Sequence, residues 1–188
     1  QHVVPSNPNT TEQQKTRTVF AALDEQWKRM NTLSRAPWVA ETARRPLTPR
    51  NALFRANIPA LRGSADMTPW IGSQGAASGL PPVDVTAVGG TAAGEIDVTV
   101  TSPKEPVGWT LDAVVAQAIH DRDAGVLPTH FVPEAEGLTP TVDGDTTVSL
   151  TGCATGEDYV VAAWTRWLRP DGTKAYGASL TTPIVTAT

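Results

Sequence analysis

Two periods divide the chain. Up to about residue 60, apolar residues recur three or four positions apart, and from Pro82 onward they alternate. The first stripe is Val19, Phe20, Leu23, Trp27 and Met30, one face of a helix of five or six turns. Thr10 and Gln13 ahead of it read as a capping box, and Asn31 and Thr32 as its end. A second, short helix is expected from about Pro37 to Arg44, closed by Pro46. A third starts with Thr48 as N-cap and Pro49 in the first turn, carries Leu53, Phe54 and Ile58, and is expected to stop near Pro59. Pro5 and Pro8 make residues 1–9 an extended arm.

Residues 63–81 read as a Gly/Ser/Pro linker in which Trp70 and Ile71 are expected to fold back onto the chain's own core. Beyond it, Val83 to Val88, Glu95 to Val100, Trp109 to Ile119, Thr146 to Leu150 and Tyr159 to Leu168 each suit a strand. A last strand is expected over about Lys174 to Val185, after the turn Pro170-Asp171-Gly172. Residues 120–145 look irregular, with a short strand at Thr129 to Val132. Strands at this spacing, with no helices between them, predict an antiparallel sandwich over 82–188. The fold class is thus mainly β: an arm and about three short helices over 1–62, the linker, then the sandwich. The sandwich is expected to fold alone. The helices carry too little apolar surface to do so without a partner.

Two segments of the β half resemble the fibronectin type III pattern. Trp109 stands near the start of the third strand, where such sandwiches place a core-filling aromatic. Cys153-Ala154-Thr155-Gly156-Glu157-Asp158-Tyr159 is similar to the tyrosine-corner segment, with Cys153 in the apolar place and Tyr159 bonding upstream backbone.

The 188 residues carry a formal net charge of −4, which hides an asymmetry. Residues 1–62 hold ten basic and four acidic side chains, and residues 63–188 hold five basic and fifteen acidic. A basic arm before an acidic domain suits an acidic protein surface. Its cations are spread rather than clustered, which makes nucleic acid an unlikely partner. The single cysteine, Cys153, excludes an intrachain disulfide. No apolar run is long enough for a membrane helix. Gln-His-Val-Val-Pro reads as no signal peptide, and the missing initiator Met points to residues ahead of Gln1.

The N-terminal half carries a second resemblance. Asn7-Pro8-Asn9-Thr10-Thr11-Glu12-Gln13, then Phe20, Trp27 and Trp38, then Asn51-Ala52-Leu53-Phe54-Arg55-Ala56-Asn57 resemble a family found among bacteriophage and prophage structural proteins, many ending in a β-sandwich. The resemblance implies a virion structural protein, capsid decoration or tail-associated, in repeated copies among other virion proteins. The expected interface residues are Trp38 as anchor, with Phe54, Arg44, Arg45 and Arg50. The alternative is a bacterial surface or secreted adhesion module. It draws on Trp164 and Trp167, which face opposite sides of one strand and leave one ring for a sugar or a partner.

No catalytic, metal or cofactor set emerges. His120-Asp121-Arg122-Asp123 is the densest polar cluster, but strand neighbours point to opposite faces. Asp143-Gly144-Asp145 lacks the later carboxylates of a calcium loop. No Gly-x-Ser-x-Gly and no phosphate loop occur, and Cys153 reads as a small buried hydrophobe. The chain is expected to be no enzyme.

Overall fold

The computed structural model describes residues 10–64, 66–121 and 133–188. The expected arm over 1–9 and the expected strand at Thr129 to Val132 lie outside them.

Helix α1 spans Thr11–Arg29, and the Thr10 hydroxyl accepts the Gln13 N–H at 3.4 Å. The reciprocal half of the capping box is not made: Gln13 Oε1 has no partner among the described residues. Helix α2 spans Thr32–Thr42, five residues earlier than its sequence suggests, with Pro37 inside it. The start is fixed from far away. The Glu134 carboxylate accepts the N–H groups of Asn31 at 2.6 Å and Ser34 at 3.2 Å. A carboxylate there satisfies orphan donors and suits the positive end of the helix. Helix α3 spans Pro49–Arg62 with Thr48 as N-cap, and it runs through Pro59. Its last turn is retained because Leu61 is buried in the core, which offsets the hydrogen bond that Pro59 forfeits.

The β half forms two sheets. One joins β1 (Asp84–Gly89), β2 (Glu95–Thr101) and β5 (Asp145–Thr151) in the order β1-β2-β5. The other joins β4 (Glu134–Gly137), β3 (Thr110–His120), β6 (Asp158–Leu168) and β7 (Lys174–Tyr176) in the order β4-β3-β6-β7. Two further segments, β8 (Leu180–Thr181) and β9 (Val185–Thr186), also pair with β6. The one long last strand expected from sequence is thus broken into three, and its register on β6 slips by one residue at each break. All named pairings are antiparallel. This is the strand order of a fibronectin III/Ig-like sandwich.

The two sheets bury Ile96, Val98, Val100 and Leu150 against Val114, Val161 and Ala163. The opposite face of the second sheet is covered too. Val115, Ile119, Val160, Ala162 and Trp164 share one core with Leu23, Trp38, Leu53 and Leu61 from the three helices. Strand β6 is therefore buried on both faces from Tyr159 to Trp167. That double burial is why it reads as a continuous apolar run instead of an alternation. The molecule has three layers: helices, the β4-β3-β6-β7 sheet, and the β1-β2-β5 sheet.

The expected linker is no free tether. Trp70 is buried in the helix–sheet core and its indole N–H donates to Gln117 Oε1 at 3.3 Å. Asn57, fully buried on α3, clamps Ile71: it accepts the Ile71 N–H at 2.8 Å and donates to its carbonyl at 3.0 Å. Ser73 donates to the Gly177 carbonyl at 2.7 Å, and isolated bridges join Gln74 to Ala178 and Gly79 to Gly177. Glycine is required where the chain crosses the sheet. A Cβ on Gly72 would lie 2.8 Å from Cζ3 of Trp164, and one on Gly79 would lie 2.4 Å from the carbonyl carbon of Tyr176. What looks like a flexible composition is a strip that must lie flat.

Candidate interaction surfaces

The residues expected to form an interface separate into buried and exposed sets. Trp38 is fully buried in the helix–sheet core, so it anchors the chain to itself and cannot serve as an exposed anchor. Helix α2 packs on α3, β4, β7 and the short turn Ala76–Ser78. Phe54 is buried as well, edge-on to Phe20 with centroids 4.7 Å apart. Arg50 lies over the Phe54 ring and donates to Asp24, so its charge is spent within the helical layer. Hydrogen bonding from Arg50 holds the Asp24 carboxyl below its usual value. Arg45, just past the end of α2, pairs with Glu41 in the helix's last turn. Arg44 is exposed and has no ion-pair partner among the described residues.

The outward side of the helices presents a different residue. Phe20 is 47% exposed. It lines a groove of roughly 420 Å³ with Glu12, Gln13, Thr16, Arg17 and Arg62. The sequence placed Phe20 inside, on one stripe with Trp27. Val19 carried the contrary signal, since adjacent helix positions are about 100° apart and the buried Val19 turns Phe20 outward.

The two structural aromatics also divide. The Tyr159 hydroxyl accepts the Ala154 N–H at 2.7 Å, the tie expected of a tyrosine corner. Tyr159 itself is buried beside Cys153 in the inter-sheet core. Trp109 departs from expectation. It is only partly buried and flanks a satellite cluster of Leu111, Trp167 and Ala175, with Arg169 over its ring. It lies one residue before β3. Trp164 lies on the other face of the second sheet, under the helices, and the inter-sheet cluster of described residues holds no tryptophan.

No protein-family model matches this chain, and no curated protein matches it in sequence. Among solved structures, murine CRIg is similar over 58% of this chain and 97% of that one, at 14% identity and a TM-score of 0.30. The sandwich is defined by its own strand order, not by that likeness.

The polar clusters singled out in the sequence have structural partners. His120 Nε2 lies 3.0 Å from Glu157 Oε2 and its ring stacks edge-on to Tyr159. Asp121 accepts the Met67 N–H at 3.0 Å, which ties the strip to the end of β3. Asp123, Arg122 and His130 lie outside the described residues. Asp145 accepts the Thr101 hydroxyl at 2.6 Å. Burial raises the Cys153 thiol to about 11, so it stays protonated and inert near neutrality. Among the described residues no group of three His, Cys, Asp or Glu is placed to hold a metal ion. No described helix is long and apolar enough to cross a membrane.

Proposed function

We propose that this chain is a non-enzymatic structural protein of a bacteriophage virion. It is present in repeated copies, as a capsid decoration or tail-associated component, and binds neighbouring virion proteins through its N-terminal region. The observation that carries the reading is the outward helical layer. Exposed Arg44, Arg55 and Arg62, with half-exposed Phe20, lie on elements locked to the sandwich by a shared core. A docking layer held rigidly on a β-sandwich suits a component that bridges or projects from a lattice. The virion context comes from the N-terminal pattern of Asn7 to Gln13 and Asn51 to Asn57. The interface is formed by the outer helical surface, with Phe20 in the place that sequence assigned to Trp38. Its arginines set orientation and association rate more than affinity.

The carbohydrate-binding alternative drew on a displayed tryptophan in β6. Trp164 and Trp167 are both fully buried, so no observation now favours it.

The test is attachment to particles. Phage particles lacking the protein are mixed with the purified chain and separated on a density gradient. The wild-type chain is expected in the particle band. A Phe20→Ser/Arg44→Glu variant, checked for native circular dichroism, is expected to stay at the top. A wild-type chain that never enters the band, or a folded variant that enters equally, would sink the proposal.

A further inference from the structure

The two outermost surfaces of the molecule are complementary. The outward face of the β1-β2-β5 sheet follows from its register. Asp84, Thr101 and Asp145 form one cross-strand row, Thr86, Thr99 and Thr147 the next, and Val88, Asp97 and Ser149 the third. Glu95 opposite Thr151 completes the face. It carries four carboxylates and no basic side chain. None of the four has an ion-pair partner among the described residues; Asp97 and Asp145 accept neighbouring hydroxyls at 2.6 Å. Val88 stands among them, 62% exposed.

The helical layer is the opposite surface, because the β4-β3-β6-β7 sheet lies between the two. Ten basic and four acidic side chains occur over residues 1–62. Exposed Arg55 and Arg62 on α3 have no ion-pair partner among the described residues. Arg62 shares its groove with the half-exposed Phe20. Glu12, on the same groove, is paired with Lys15. Each outer surface thus has an exposed apolar side chain and an excess of one charge, and the signs are opposite.

We infer that copies of this chain stack back to front, with the β1-β2-β5 face of one seated on the helical layer of the next. The proposal deepens the virion reading by naming the partner, and it rests on that reading for its biological setting only. Two different surfaces of one molecule form the contact, so it is heterologous and each copy leaves one surface of each kind open. Such contacts generate rings where the rotation closes and filaments where it does not. Opposed charge steers the encounter and fixes which face meets which. Like faces repel, which disfavours the two-fold dimer.

The experiment is sedimentation of the purified chain over a concentration series, at low and high salt. The weight-average mass is expected to rise with concentration at low salt and to return to monomer at high salt, since exposed charges are screened there. Arg55→Glu/Arg62→Glu and Asp84→Lys/Asp97→Lys, each alone, are expected to weaken association by about tenfold or more. An equal mixture of the two variants is expected to associate again, because the unaltered acidic face of the first can then seat on the unaltered basic layer of the second. A wild-type chain that is monomeric at every concentration and salt overturns the proposal. So does association that survives both reversals, or a mixture that stays monomeric. Attachment to particles is measured separately, so a chain that binds particles as a monomer loses the stacking proposal and keeps the virion reading.

Discussion

Glu134 and Asn31 meet across 103 positions of sequence: the carboxylate on β4 accepts the backbone N–H ahead of α2 at 2.6 Å. A helix in the first layer is capped by a strand in the second. Glu134→Ala is expected to cost about 1–2 kcal/mol, the scale of a lost N-cap. Burial raises the Glu134 pKa above the ordinary 4.5, and the N–H groups of Asn31 and Ser34 only partly offset it. The folded carboxyl therefore keeps its proton at pH values where the unfolded one has lost it. Its contribution to stability falls as pH rises past the ordinary glutamate range. Chemical denaturation across that range should show a shallower dependence in Glu134→Gln than in the wild type. Identical slopes would dismiss Glu134 as a titrating cap.

Trp164 decides whether the sandwich can stand alone. Sequence predicts an independent domain over 82–188, yet a fragment of those residues would bare Ile119, Val160 and Trp164 to water. Exposed apolar area on this scale drives aggregation. The fragment is expected to be poorly soluble, or to bind a hydrophobic dye and melt without a cooperative transition. A soluble monomer with a sharp melt would show that the helical cover is dispensable.

Tyr159→Phe removes the acceptor for the Ala154 N–H and leaves packing intact. The expected loss is about 1 kcal/mol, read as a lower melting temperature. Because Tyr159 is buried between the sheets, far from both outer surfaces, attachment to particles should be unchanged in the folded variant. An unaltered melting temperature would mean that the hydroxyl does not tie the corner.

Cys153 gives a chemical report on the inter-sheet core. With its thiol near 11, it should resist an aromatic disulfide reagent at pH 8 in the native chain and react at once in denaturant. The folded pKa lies above the unfolded value. The stability that goes with the protonated thiol is therefore complete below about 9 and is lost as pH approaches 11. Fast native labelling at pH 8 would contradict the burial.

The sandwich was legible where a single rule governs it. Strand β2 alternates because only one of its faces is buried, and Tyr159 stands at the spacing a corner needs. The misses share a cause: the deciding partner is distant in sequence. The start of α2 depends on Glu134, and the last turn of α3 on the burial of Leu61. Strand β4 went unread because Glu134-Ala135-Glu136-Gly137 has no apolar alternation, as befits a charged edge. The helix–sheet core was visible only as surplus aromatics. Trp70 folds back onto the core as its sequence suggests, while Trp38 and Trp164, read from sequence as an anchor and a sugar platform, pack into the same cluster.

The flat strip over residues 66–80 has a mechanical consequence. A loose tether would take up a pull on the helices by straightening, and nothing would reach the sandwich. Here the pull passes from Asn57 to Ile71, then through the Gln74–Ala178 and Gly79–Gly177 bridges to the segments beside β6. Strand β6 is hydrogen-bonded on both edges and covered on both faces. Tension on the N-terminal layer is thus delivered to the best-supported strand of the molecule, and the chain can bear strain between its attachment and its far sheet without paying out slack.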